Sequence, residues 1–153
     1  MITLIGEAPG KNGKPGEPAL LGNIGRRVAR LMGTTEEQYQ WQTRRENLLP
    51  HWPGKAKHGN GDAWPAKRAR AAARVMVTSR QLDGHVVILL GRRVADAFGI
   101  RRDVQWFTWT DGVIGTRFAV APHPSGASRW WNEPKNMRAA GRFWRAVYRR
   151  TLS

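Results

Sequence analysis

The chain has 153 residues, of which 41% are hydrophobic, enough for one domain with a substantial core. It contains no cysteine, which excludes disulfides, cysteine nucleophiles and cysteine-ligated clusters. With 26 basic and 11 acidic side chains the net charge is +15, and arginine far outnumbers lysine. A charge of this size together with eight tryptophans favours a nucleic-acid partner, because arginine binds phosphate through two hydrogen bonds and stacks on rings.

Nothing in the sequence predicts a membrane or secreted protein. No apolar run is long enough to cross a bilayer, and the start of the chain lacks a basic region followed by a signal-type apolar stretch. No basic amphipathic helix with an apolar face favours an anionic membrane as the polyanion. We therefore expect a soluble monomer of the cytoplasm that associates with the nucleoid through DNA and is not secreted.

The chain opens with an apolar strand that runs into a glycine-rich loop. The strand covers Ile2–Ile5, the loop covers Gly6–Gly10, and a helix is predicted over Ile24–Met32 from apolar residues at helical spacing. In α/β proteins this order brings backbone amides near an anion or a base. The loop is neither a dinucleotide fingerprint nor a P-loop, because their glycine spacing and the Gly-Lys-Ser/Thr ending are absent.

A second short helix and the end of a strand are predicted next. Thr34 and Glu37 resemble a capping box at the start of the helix, and Asn47-Leu-Leu-Pro50 is typical of a strand end. The polar loop from His51 to Asp62 holds two histidines and an aspartate, but their spacing matches no compact ligand set. We expect no metal and no other cofactor, and a loop that faces solvent or DNA.

The middle of the chain repeats the order of strand, glycine and helix. A helix rich in alanine and arginine is predicted over Ala66–Leu82. His85–Leu90 is the most strand-like run, apolar enough for burial on both faces. Gly91 then leads into a helix that stops at Gly99.

The last third of the chain predicts a hairpin, a strand and a helix. Thr110-Asp-Gly112 is typical of a hairpin turn, flanked by Trp106–Trp109 and Val113–Ile114. Phe118–Ala121 reads as a buried strand. The final helix has Pro134 in its first turn, where the missing N–H is harmless.

Strands that alternate with helices predict a mostly parallel sheet. We therefore expect an α/β fold of three layers, αβα, with four to five strands in a single domain over 1–153. Ligands of such sheets bind at the carboxyl ends of the strands. Because Gly6–Gly10, Asn47 and His123 all follow strands, we expect them to meet at one edge of the sheet.

The stretch Ala121–Asn132 has the richest set of chemical groups in the chain. It holds a histidine between two prolines, two hydroxyls, an arginine and two adjacent tryptophans. Prolines fix φ and restrict their neighbours, so His123 is presented on a stiff backbone, which suits a group that must meet a developing charge. The alternative is a turn histidine beside tryptophans that close the core.

Several motifs, in the same order, resemble those of the uracil-DNA glycosylase superfamily. They are Gly6-Glu-Ala-Pro-Gly10 with Leu20-Leu-Gly-Asn-Ile-Gly25, then Asn47-Leu-Leu-Pro50, Leu89-Leu-Gly-Arg-Arg-Val-Ala95 and His123-Pro-Ser125. The resemblance covers nearly the whole chain. It implies a monofunctional DNA glycosylase that flips uracil or a modified pyrimidine out of duplex or single-stranded DNA and hydrolyses its N-glycosidic bond. The iron–sulfur cluster of some members is excluded, because this chain has no cysteine.

The resemblance assigns roles residue by residue. It implies that His123 stabilises the departing base, that Asn23 holds the attacking water, and that Glu7 belongs to the loop that orients this water. The implied base pocket consists of Gly6, Ala8, Pro9, Gly10, Leu20 and Asn47. The implied DNA contacts, including a wedge that enters the duplex, are Ser125, Gly126, Ser128, Arg129, Trp130 and Trp131.

The residue types suit this chemistry. Breaking an N-glycosidic bond leaves a sugar cation and a pyrimidine anion, and a donor placed where the negative charge develops lowers that barrier by on the order of 3–4 kcal/mol. His123 can donate to a carbonyl oxygen, and the amide of Asn47 can match a carbonyl and an N–H together.

Other interpretations stay open at this point. Leu20 stands where an aromatic ring usually stacks on the base, and Asn23 stands where longer-loop members have an acidic residue. A non-catalytic nucleic-acid-binding protein, or an enzyme acting on modified bases or nucleotides, is compatible with the same fold. Structural roles are also open: Glu7 as a helix cap or arginine partner, Asn23 as an N-cap, Asn47 as a turn residue, and the paired tryptophans as core.

Overall fold

A five-stranded, mostly parallel sheet forms the centre of the molecule. The structure, a computed structural model, describes residues 1–152 apart from the side chain of Thr151. The strands are β1 (Ile2–Gly6), β2 (Thr43–Asn47), β3 (Val86–Leu90), β4 (Trp109–Asp111) and β5 (Arg117–Ala121), in the spatial order β2-β1-β3-β5-β4. Neighbouring strands are parallel except β4, which is antiparallel to β5.

Helices cover both faces of this sheet. They are α1 (Gly22–Met32), α2 (Glu36–Gln42), α3 (Ala66–Thr78), α4 (Arg92–Ala97) and α5 (Pro134–Leu152), and a 3-10 helix spans Arg129–Asn132. Helices α1, α2 and α5 pack on one face, and α3 and α4 on the other. The predicted α/β class with three αβα layers is therefore confirmed. The domain predicted over 1–153 also includes Ser153, which lies outside the described residues.

Alternate residues of the strands serve the two cores. In β3, Ile88 and Leu90 pack toward α1 and α5, whereas Val87 and Leu89 pack toward α3 and α4. None of the four has exposed surface, so the strand is buried on both faces, as its continuous apolar run predicts. Within residues 1–152, no helix combines the length and the apolar character needed to cross a bilayer.

The last helix buries most of the apolar face that its sequence predicts. Ala140, Trp144 and Val147 of α5 have no exposed surface. Met137, in the first turns of the helix, remains 36% exposed, with its sulfur 3.6 Å from the guanidinium of Arg27. The apolar face of α5 is therefore partly exposed at Met137, beside Arg27 of α1.

The hairpin lies further along the chain than predicted. Thr110–Asp111 belongs to β4, and the turn is closed by the N–H of Gly112, which donates to the carbonyl of Thr116 at 2.8 Å. Val113–Ile114, predicted as a strand, lies exposed in this turn. The reason is tertiary: the ring of Phe118 packs so closely on Gly112 that a Cβ there would lie 2.5 Å from it, which fixes the glycine at the start of the turn.

Two helix ends also differ from the prediction. The cap of α2 is Thr35, whose hydroxyl accepts a hydrogen bond from the N–H of Gln38 at 3.1 Å. The hydroxyl of Thr34 lies instead 2.9 Å from the hydroxyl of Tyr148 in α5. Helix α3 ends at Thr78, four residues before the predicted end.

Candidate active site

A cleft of about 520 Å³ opens at the carboxyl edge of the sheet. Its volume is in the range of about 300–1,000 Å³ that is typical of ligand sites. The loops after β1, β2 and β5 all contribute to its walls. The structure brings these predicted site residues together in its lining: Glu7, Ala8, Pro9, Gly10, Leu20, Asn47, His123 and Ser125.

Backbone hydrogen bonds hold the first loop against the end of β2. The N–H of Leu48 donates to the carbonyl of Gly6 at 3.0 Å, and the N–H of Leu49 donates to that of Glu7 at 2.9 Å. Both leucines are buried and act as anchors. These two hydrogen bonds place Asn47 beside Gly6. A Cβ built on Gly6 would lie 2.7 Å from the Oδ1 of Asn47. A side chain at position 6 would therefore have to displace the Asn47 amide from its place beside the strand.

Asn47 offers its amide to the cleft. It is the last residue of β2 rather than a turn residue, and it is half-buried. It lines the cleft, and its side chain makes no hydrogen bond to another residue in the described part of the chain.

His123 is held as a neutral donor by its local geometry. Its Nδ1 accepts a hydrogen bond from the backbone N–H of Ser125 at 3.2 Å. An accepting nitrogen carries no proton, so the neutral ring has its proton on Nε2. Burial lowers the pKa of His123 below its ordinary value, which further favours the neutral ring. The Nε2–H is therefore free to donate at neutral pH.

Trp131, which was expected to contact DNA, is buried in the structure. Its ring is only 5% exposed, and its Nε1–H donates to the carbonyl of His123 at 2.9 Å. The guanidinium of Arg27 covers the other side, 4.4 Å from the ring centroid. Trp131 is a core residue that fixes the histidine loop, because burying a large ring and satisfying its N–H outweighs exposure.

The other predicted DNA contacts lie along the rim of the loop after β5. Ser125, Ser128 and Arg129 are exposed, whereas Trp130 is half-buried and packs on Phe107 with ring centroids 5.9 Å apart. The Ser128 hydroxyl also caps the 3-10 helix, accepting from the N–H of Trp130 at 3.2 Å.

Gly126 follows Ser125 in the loop after β5 and has a left-handed backbone conformation, with φ 76°. A Cβ at this position would lie 2.6 Å from the guanidinium of Arg27. The positive φ and the packing of Arg27 against the loop both favour glycine at this position.

Glu7 is the acid of the cleft and has an arginine partner. Its Oε2 lies 3.7 Å from the guanidinium of Arg93, which also donates to the carbonyl of Asp62 at 3.1 Å. Burial raises the pKa of Glu7, Arg93 opposes this shift, and the nearby Asp62 carboxylate adds to it. The carboxyl of Glu7 thus titrates closer to neutral pH than a free glutamate, which suits a proton acceptor.

Asp62 and Arg93 were missed as members of the site. Asp62 lines the cleft and comes from the loop between β2 and α3. No local pattern singles it out, because its position depends on how that long loop folds back. Arg93 could have been found: it lies in the first turn of α4, directly after β3, and so at the carboxyl edge of the sheet.

Asn23 is not among the residues that line the cleft. Helix α1 begins at Gly22, two residues earlier than predicted, with Leu21 at the N-cap position, so the interpretation of Asn23 as the N-cap is wrong. Asn23 is an exposed residue of the first turn, and its Oδ1 accepts a hydrogen bond from Arg26.

Leu20 forms an apolar wall of the cleft in a strained conformation. Its φ is 58°, in the left-handed region that costs a residue with a Cβ about 1–2 kcal/mol. The hydroxyl of Tyr39 donates to its carbonyl at 3.3 Å, and α1 approaches it so closely that a Cβ on Gly25 would lie 2.4 Å from this oxygen. Leu20 is only 8% exposed, so it offers a small contact area rather than a stacking platform.

Among the described residues, no group of three or more histidine and acidic side chains is placed to hold a metal ion. Comparison with known proteins found no family model that matches the chain and no significant match among curated proteins.

Proposed function

We propose that the protein is a monofunctional DNA glycosylase that hydrolyses the N-glycosidic bond of uracil or a modified pyrimidine flipped out of DNA. The observation that carries this proposal is the convergence of His123, Asn47 and Glu7 on one cleft, from the ends of three strands. Each offers a different group: an N–H donor, a free amide and a carboxyl.

The amide of Asn47 recognises the base. Its N–H₂ donates to a pyrimidine carbonyl while its oxygen accepts from the neighbouring ring N–H. Since the side chain has no protein partner in the described chain, it loses no hydrogen bond when the base binds. A site built in this way rejects bases that lack the complementary groups, because its buried polar atoms would then stay unpaired.

His123 stabilises the leaving base. As the C1′–N1 bond breaks, its electron pair moves onto the base, and the negative charge spreads to the carbonyl oxygen. The Nε2–H of His123 donates to that oxygen. Because the ring is already fixed by Ser125 and the Trp131–carbonyl hydrogen bond, it needs no reorganisation during the reaction.

Glu7 acts on the attacking water. The water oxygen forms the new bond to C1′, and its proton passes to the carboxylate of Glu7 and then to solvent or the departed base. The raised pKa of Glu7 makes it a better acceptor than an ordinary glutamate. No lysine lines the cleft in the described chain, so this chemistry has no amine for a covalent sugar intermediate.

DNA binding should weaken steeply with salt. The net charge of +15 favours phosphate contacts, and each contact on duplex DNA contributes a slope of about 0.9 in log affinity against log salt. We expect several phosphate contacts. Arg129→Gln should remove about one of them and so reduce the slope by about 0.9. Fluorescence anisotropy over a salt series measures this slope, with Arg68→Gln, an exposed arginine of α3, as the charge-matched control. A flat salt dependence would contradict DNA as the partner.

Asn47→Asp should lower uracil excision by about 10² or more, the scale for one lost donor. A carboxylate cannot donate to the base carbonyl, and its charge repels the developing anion. Thermal stability should change little, because Asn47 has no side-chain hydrogen bond to lose. Single-turnover excision is the measurement, and Asn60→Asp, on an exposed loop, is the matched control. Equal rates in both variants would place base recognition elsewhere.

The proposal itself is tested by an excision panel. Duplex and single-stranded oligonucleotides carry uracil, hydroxymethyluracil, hypoxanthine or a mismatched base, and the products are a free base and an intact strand with an abasic site. Binding without release from any substrate would support the non-catalytic alternative. Release from free nucleotides but not from DNA would support the nucleotide-processing alternative.

A further inference from the structure

A groove of about 550 Å³ runs between α1 and α5, away from the cleft residues already described. Its walls carry four arginines, two from each helix, and its floor is apolar. The lining residues are Arg27, Arg30, Leu31, Met137, Arg138, Gly141 and Arg145.

The arginines of this groove have no carboxylate partner within residues 1–152. The neighbouring Arg26 of α1 faces Glu36, with 4.0 Å between charged atoms, but Arg30, Arg138 and Arg145 are exposed and form no ion pair there. Unpaired like charges brought together repel each other and lower stability. Such a cluster is relieved when a polyanion binds.

A smaller cavity borders on both the groove and the cleft. Its volume is about 210 Å³, and it shares Arg27 and Arg30 with the groove and Ile24 and Ser125 with the cleft. The rim of the cleft at Ser125 and the arginines of α1 in the groove are therefore neighbours on one surface.

Arg27, which lines both the groove and the smaller cavity, is held by its neighbours. Its guanidinium lies over the buried ring of Trp131 and against Gly126. The three remaining arginines are exposed and can adapt to a ligand.

We propose that this groove binds the phosphodiester backbone of the DNA strand on one side of the flipped base. This inference depends on the proposed function for its substrate, but it concerns a separate surface. Guanidinium groups bind phosphate oxygens through paired hydrogen bonds, and Leu31 and Met137 give the floor an apolar surface suited to sugar rings. From 137 to 145, α5 advances roughly 12 Å, long enough for about three phosphates at B-form spacing.

The test compares two variants that each remove three positive charges. The groove variant combines Arg30→Gln, Arg138→Gln and Arg145→Gln. The control variant combines three exposed residues of α3 without ion pairs in the described chain: Lys67→Gln, Arg68→Gln and Arg74→Gln. Arg27 is kept, because it packs on Trp131. Thermal unfolding of both variants establishes that they remain folded.

The probe is a labelled oligonucleotide with a tetrahydrofuran abasic-site analogue, extended stepwise on either side of that site. We expect the groove variant to bind about tenfold or more weakly, with a salt slope lower by about two to three contacts. The loss should occur only with probes extended on one side. The control variant should show a much smaller change on both sides.

The outcomes separate this proposal from the glycosylase proposal. Equal losses in the two variants, or no loss in the groove variant, would overturn the groove as a DNA site while leaving excision untouched. Groove-dependent binding by a protein that excises nothing would support the groove and overturn the enzyme. Polyglutamate that displaces the probe as well as an oligonucleotide of equal charge would indicate an acidic protein partner and overturn the assignment to DNA.

Discussion

His123→Ala should lower the single-turnover rate of base excision by about 10²–10³, the scale for one lost preorganised donor. DNA affinity should change little, since phosphate contacts carry it. Stability should fall by only about 1 kcal/mol, the value of the hydrogen bond from the Ser125 N–H. All three quantities should be measured on one preparation, with His51→Ala, on an exposed loop, as the control.

The pH dependence of stability checks the same histidine without relying on activity. Because burial lowers the folded pKa of His123, the unfolded chain takes up a proton first as the pH falls below about 6.5. The contribution of the buried neutral ring is therefore fully present above this pH and is lost as the pH falls toward the folded pKa. His123→Ala should lose less stability than the wild type between pH 7.5 and 5.5. If His123→Ala excises the base at the wild-type rate, His123 is not the donor to the leaving base.

Gly25→Ala should destabilise the protein by up to about 2 kcal/mol, against the trend of helix propensity. Alanine is better than glycine inside a helix by about 1 kcal/mol. Here, however, its Cβ would lie 2.4 Å from the carbonyl oxygen of Leu20, which the buried Tyr39 holds in place. The backbone must move, and overpacking of this kind typically costs about 1–3 kcal/mol. The cleft wall moves with it, so base excision should fall as well.

A second helical glycine provides the control for this change. A Cβ on Gly141 of α5 would lie 3.3 Å from the guanidinium of Arg145, the flexible end of an exposed side chain. Gly141→Ala should therefore be neutral or stabilising by up to about 1 kcal/mol. Denaturant unfolding measures both variants, and the same sign of change in both would contradict the role given to Gly25.

The fold was predictable because its main signals are local. The apolar runs at Ile2–Ile5 and His85–Leu90 predict strands, and Gly33 and Gly99, both at positive φ, end helices near where the sequence indicates. The errors arise where tertiary contacts override local pattern. The ring of Phe118 displaces the hairpin turn, and Tyr148 engages the threonine that was predicted to cap α2.

The candidate site was predictable to the extent that it follows from topology. Asn47 ends one parallel strand and His123 follows another, so their meeting at one edge is a consequence of the sheet. The placement of Asn23 depends on where α1 begins. Because α1 begins at Gly22 rather than Ile24, Asn23 lies within the helix and not in the loop before it. The contribution of Asp62 depends on a loop without regular structure, for which the sequence offers no periodic signal.

The order of strands also determines when the cleft can form during folding. Strand β1 lies between β2 and β3, and its Ile2 pairs with Val86 in the second half of the chain. Such distant pairing is slow, because the entropy of closing long loops is lost before the contacts form. Until α5 has been synthesised, Leu4 and the rest of that face lack their cover of Trp144 and Val147. A nascent chain therefore leaves this face of the sheet without part of its cover for most of its synthesis, and the edge that carries the cleft is completed late.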